Sequence, residues 1–102
     1  MTARTGAQYK AGLDDGREVW LGDEQIDITT HPSMARSVEG MAGYFDYQHA
    51  HADEVLMPAP HGGQMNVSHL LPRSAEDIDR RHTAFDRLAR YSVGMLGRTP
   101  DY

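Results

Sequence analysis

The sequence predicts a mainly α fold of the α+β kind: a small helical domain with one or two β-hairpins and a long amphipathic helix near its C-terminal end. Three observations carry this expectation. Apolar residues recur at helical spacing in two long stretches, between Met34 and Phe45 and between Ile78 and Leu96. A single stretch, REVWLGDEQIDI, alternates instead, and it is broken in the middle by Gly22-Asp23. Serine, threonine and glycine punctuate these segments at positions suited to helix caps and turns.

Taken in order, TGAQYKAGLDDG opens with Thr5 and Gln8 at capping-box spacing and closes at Gly16, which gives one short helix. In the next segment Val19 and Leu21 share one side and Ile26 and Ile28 follow the turn, the pattern of a hairpin. Residues 30–50 place Met34, Val38, Met41, Ala42 and Phe45 on one stripe. Gly40 and Gly43 weaken that stretch as an isolated helix, or mark a close contact with a neighbouring backbone. DEVLMPAPHGGQMNVSHLLP is irregular, with a second hairpin expected around Pro60 to Gly63. The strongest element is 74–97: Ser74 as N-cap, Glu76 and Asp77 in the first turn, then Ile78, Phe85, Leu88, Ala89, Ser92, Met95 and Leu96 at helical spacing.

The last six residues, GRTPDY, read as one helix ending and another beginning. Gly97 suits the left-handed position past a helix C-terminus. Thr99 can cap a new helix, Pro100 fits its first turn, and Asp101 complements its dipole. A helix announced two residues before the last one leads to the expectation that the chain is a piece of something longer.

With 102 residues the chain holds one domain with a small core, since so short a chain leaves much of its surface wet. It is 39% hydrophobic and 25% charged, with a mean hydropathy of −0.62. The net charge is −5 and the basic residues are scattered, which argues against nucleic acid as a partner. The absence of cysteine removes disulfides and thiolate metal sites. MTARTGAQYK has no apolar core of a signal peptide, and no run reaches membrane-spanning length, so a cytoplasmic location is the default expectation.

Six histidines invite a metal site. His49 and His51 form H-x-H beside Asp53 and Glu54, with His61 and His69 further on. Zinc requires three or four converging ligands, and this H-x-H falls at an expected helix end, so solvated histidines are the favoured reading and no metal is expected. Gly40-x-x-Gly43 and Gly62-Gly63 fit neither phosphate-cradling glycine pattern and read as packing and turn glycines. The Met34, Met41 and Phe45 stripe is core or interface. Arg98 and Tyr102 form a sharper pair. Arginine stays charged and can hold an anionic oxygen, and the tyrosine hydroxyl adds a second donor, although the spacing alone reads equally as surface.

Across nearly its whole length the chain resembles the N-terminal region of the 4-hydroxyphenylacetate 3-hydroxylase family. The matching segments stand in the family's order: TGAQYKAGLDDGREVWLGDEQI, DITTHP, YFDYQH, LLPRSAEDIDRRHTAF and GMLGRTPDY. TTHP and GRTPDY are the most specific of them. The resemblance implies that residues 1–102 are the N-terminal helical domain of a flavin-dependent phenol monooxygenase, stopping before a β-rich middle domain and a C-terminal helical domain. It implies FAD as cofactor, delivered as FADH2 by an NAD(P)H:flavin reductase and bound mostly by regions outside this chain. It also implies molecular oxygen as co-substrate, ortho-hydroxylation of a phenolic small molecule through a flavin C4a-hydroperoxide, and a homotetramer when full length.

Arg98 and Tyr102 match the family's contacts to the phenolic oxygen, whose negative charge a fixed cation and a hydroxyl would stabilise. The family's third contact, a histidine, lies beyond Tyr102, and none of the six histidines takes that role. The isolated chain is therefore expected to lack a complete active site. Two alternatives stand beside this reading: a stand-alone helical binding module, and part of a related flavin-dependent acyl-CoA dehydratase. GRTPDY favours the hydroxylase branch over the second.

Overall fold

The computed structural model describes residues 2–95, which divide into two compact units, residues 4–46 and residues 47–95 together with residues 2 and 3. The expected mainly α architecture with two small antiparallel hairpins is what the described residues adopt.

In the first unit, helix α1 (Gly6–Ala11) starts with a complete capping box: the Gln8 amide donates to Thr5 Oγ1 at 3.2 Å and the Thr5 amide to Gln8 Oε1 at 2.8 Å. It ends earlier than Gly16: the Gly12 amide donates to the Gln8 carbonyl and the Leu13 amide to that of Lys10, an i to i−3 bond that tightens and closes the last turn. Gly16, at φ +80°, instead lies in the turn that leads into the hairpin. Strands β1 (Val19–Leu21) and β2 (Glu24–Ile26) pair antiparallel with Val19 opposite Ile26. Gly22 takes φ +62° at the first loop position and Asp23 does not follow it, the pattern of a type II′ turn.

Helix α2 (Ala35–Ala50) carries the expected stripe, of which Val38 and Ala42 are buried. Tyr44, off that stripe, is nevertheless 1% exposed. The close glycine contact falls at Gly6 and not at Gly40, where an added Cβ would meet nothing. A Cβ on Gly6 would lie 2.6 Å from Asp46 Oδ2 and 2.9 Å from the Ala42 carbonyl carbon, so only glycine fits. The Gly6 amide donates to Asp46 Oδ1 at 2.7 Å, which satisfies one orphan donor of α1.

The second unit holds helix α3 (Ala52–Val55), strands β3 (Leu56–Pro58) and β4 (Gln64–Asn66), a 3-10 turn at Val67–His69, and helix α4 (Ala75–Ser92). β3 and β4 pair with Met57 opposite Met65, around the expected turn, where Gly62 and Gly63 both have positive φ. α4 packs on α3 and on the 3-10 turn, and Val55, Leu56, Val67, Ala84 and Leu88 form the core there. Inside this apolar shell the Asn66 amide donates to Gln48 Oε1 at 2.7 Å, both residues being buried, and Asn66 Oδ1 accepts the Ser68 amide at 2.8 Å.

Ser74 caps α4 as expected, accepting the Asp77 amide at 3.1 Å. The buried face of α4 differs from the expected stripe: Ala84 and Leu88 are fully buried and Ile78 is 59% exposed. Ile78 closes the first turn of the helix, six residues before Ala84. The helix also stops at Ser92, short of Leu96. The Gly94 amide bonds to the Ala89 carbonyl and the Val93 amide to that of Arg90, a Schellman motif with Val93 at the left-handed position, φ 55°.

Candidate functional site

The two residues singled out for phenol binding, Arg98 and Tyr102, lie outside the described residues, as do Leu96, Gly97, Thr99, Pro100 and Asp101. What the structure describes is the platform that α3 and α4 build before them. Arg87, one turn before the last of α4, forks onto Glu54 of α3, with Nε 2.9 Å from Oε2 and Nη2 2.9 Å from Oε1. Both side chains are about one-third exposed, at 29%. The guanidinium holds the Glu54 carboxyl below its ordinary range, and the carboxylate in turn raises Arg87.

The Tyr47 hydroxyl donates to the Arg87 carbonyl at 3.2 Å. Its ring lies 4.3 Å from the His51 ring and 5.3 Å from that of Tyr91, centroid to centroid. These contacts tie the last two turns of α4 to α3 and to the C-terminal end of α2. They join residues 33 and 40 positions apart, so no local pattern in the sequence announces them. The arrangement holds no nucleophile beside a base. It orients a helix end.

The histidines do not converge. His49 contacts the Ala3 carbonyl at 3.2 Å, His51 sits at the N-cap of α3 against Tyr47, and the His31 ring accepts the Ser33 amide at 3.2 Å. Among the described residues no group of three or more His, Asp or Glu side chains is placed to hold a metal. Nor is there a helix long and apolar enough to cross a membrane among them.

A flavin dinucleotide needs free amides or cations turned toward its phosphates. Neither the glycines singled out in the sequence nor the start of α4 meets that need. The Gly62 amide is already given to the Ala59 carbonyl within the β3–β4 turn, and Gly40 is an exposed mid-helix position. The start of α4 is closed by its own Ser74 and Asp77.

The first unit contains a separate groove of about 530 Å3, with Leu13, Val19, Ile26 and Ile28 among its lining residues. Residue-level reading missed it, since it forms only when the α1 end and the hairpin come together. The dense acids from Asp14 to Asp27 were the available signal.

Residues 5–102 match the family model described as 4-hydroxyphenylacetate 3-hydroxylase N terminal. The oxygenase component of 4-hydroxyphenylacetate 3-monooxygenase from Thermus thermophilus is 39% identical over 98% of the chain and 21% of its own length. The oxygenase component of 4-nitrophenol 2-monooxygenase from a Rhodococcus species is 35% identical over 96% of the chain and 20% of its own. A crystal structure of the oxygenase component of 4-hydroxyphenylacetate 3-monooxygenase, complexed with FAD and 4-hydroxyphenylacetate, superimposes with a TM-score of 0.85 at 36% identity, covering 98% of this chain and 22% of that one. The chain thus spans about a fifth of the length of the relatives it matches.

Proposed function

The chain belongs to the 4-hydroxyphenylacetate 3-hydroxylase N-terminal family, and from that premise we propose that residues 1–102 act as the N-terminal helical domain of a flavin-dependent aromatic monooxygenase. The observation that supports this most is the match over residues 5–102, which includes all of GRTPDY. In the proposed enzyme, FAD arrives reduced from an NAD(P)H:flavin reductase and is held by the middle and C-terminal domains of a homotetramer. The reduced flavin supplies two electrons, so that one atom of molecular oxygen enters the ring ortho to a phenol hydroxyl and the other leaves as water.

This chain's own contribution is to the phenol. The Arg98 guanidinium, charged at every working pH, and the Tyr102 hydroxyl donate to the phenolic oxygen and favour its anionic form. A ring bearing phenolate character is electron-rich at the ortho carbon, where the incoming oxygen must add. The chain alone then binds no flavin tightly and oxidises no phenol.

A chimera tests the proposal. This chain replaces the corresponding fifth of the Thermus thermophilus oxygenase component, and the product is given a flavin reductase, NADH, oxygen and a panel of phenols. Catechol formation is the expected result. A folded, flavin-binding chimera that turns over none of the phenols would overturn it.

A further inference from the structure

The groove of the first unit has an apolar floor and an acidic rim. Leu13 follows α1, Val19 and Ile26 face one another across the hairpin, and Ile28 follows β2. All four are half-buried, so the chain leaves this aliphatic surface partly wet. The cations among its lining residues are already matched: Lys10 Nζ lies 3.0 Å from Glu39 Oε1, and Arg17 Nε lies 2.7 Å from Asp15 Oδ1. Two lining carboxylates lie outside the ion pairs among the described residues, Asp14 and Asp27. Asp27 accepts the Thr29 amide at 2.8 Å and the Thr29 hydroxyl at 2.6 Å, bonds that lower its carboxyl below the ordinary value. Glu18, Asp23 and Glu24 are exposed on the same hairpin and likewise outside those ion pairs.

The charge selects the occupant. A second copy of this chain would bring the same acids against these, and an anionic ligand or nucleic acid would be repelled. An aliphatic floor with uncompensated acids around it matches apolar side chains flanked by lysine or arginine. We propose that this groove is a docking site for a basic amphipathic segment of a partner protein, whose apolar side chains seat on Leu13, Val19, Ile26 and Ile28 while its cations meet Asp14, Asp27 and the hairpin acids. The proposal goes beyond the hydroxylase reading and does not depend on it.

The test titrates the chain into a fluorescently labelled Leu/Lys amphipathic peptide and follows anisotropy. Saturable binding that weakens with added salt is expected. Asp14→Lys combined with Glu18→Lys should weaken it about tenfold and flatten the salt dependence. Leu13→Asp, which adds an acid but removes part of the floor, should also weaken it about tenfold or more. Ile28→Asp repeats that comparison from the loop if Leu13→Asp loses its far-UV signal. Equal binding of a Leu/Glu peptide, or unchanged affinity in the folded floor variant, would each overturn the proposal. The second result would mean charge attraction without a groove.

Discussion

Arg87 and Glu54 meet as a two-pronged fork, each pair of heavy atoms 2.9 Å apart, and this pairing fastens α4 to α3. A lysine at this position keeps the charge and loses the planar fork. Arg87→Lys is therefore expected to lower the thermal midpoint, and hydrogen exchange should rise first in the last two turns of α4. Uniform exchange along the helix would show that the fork does not hold that end.

The same pair gives a pH dependence of definite sign. Pairing lowers the Glu54 carboxyl from 4.5, so on acidification the unfolded chain takes up this proton before the folded one does. The stability it contributes is complete above the ordinary carboxyl value and is lost as pH falls through the depressed one. Arg87 is raised and stays charged throughout, so it adds no titration of its own. Urea melts between pH 6 and pH 3 should fall less steeply for Glu54→Gln than for the parent chain.

Gly6 tests the junction of α1 with α2. An added methyl would meet Asp46 Oδ2 at 2.6 Å and the backbone at Ala42, so Gly6→Ala should destabilise by about 1–3 kcal/mol despite its better helix propensity. Gly40→Ala, where space is open, should be neutral or stabilising. Equilibrium denaturation of the two variants separates steric from propensity effects.

The buried amide pair gives an expected loss of similar size. Asn66→Leu removes the donor to Gln48 and leaves a buried carbonyl oxygen without it, a change of about 1–3 kcal/mol against stability. Replacing both residues by apolar ones should recover part of the loss, and a double-mutant cycle reads the coupling directly.

Val93 is β-branched in a conformation that glycine adopts freely. Val93→Gly should stabilise the helix end by up to about 1 kcal/mol, since relief of strain is partly offset by the freer unfolded chain. A loss of stability would mean that the helix end is not held in this left-handed form.

In the chimera described above, Arg98→Lys should slow the hydroxylation step by about a hundredfold, on the order of 3 kcal/mol. Tyr102→Phe should cost less, because a neutral donor is weaker than a charged one. Both variants should bind reduced flavin normally. Stopped-flow absorbance that showed a defect in the flavin's reaction with oxygen, with phenol affinity unchanged, would assign these residues to the flavin instead.

Much of the local structure was legible because its causes are local. The capping box at Thr5 and Gln8, the Gly22-Asp23 turn, the Gly62-Gly63 turn and the Ser74 cap each depend on residues within a few positions of one another. The family was legible for a similar reason: its segments stand in order along the chain. The proposed phenol contacts, Arg98 and Tyr102, were singled out by their side-chain chemistry and given their role by that order, and they lie outside the described residues.

Tertiary structure alone decided which side of each helix is covered, which glycine is indispensable, and where α4 stops. Helical spacing put Ile78, Leu88 and Met95 on one apolar stripe, yet only Leu88 of the three is enclosed, Ile78 and Met95 being 59% and 86% exposed, while Ala84 and Tyr44, off the expected stripes, are buried. Spacing reports that a face is apolar, but burial depends on what lies opposite. Gly6 is constrained by a carbonyl and a carboxylate from residues 42 and 46 on α2, and the Arg87–Glu54 fork and the groove beside Leu13 likewise join residues distant in the chain. Such contacts come from the meeting of surfaces in space, for which a linear pattern has no term.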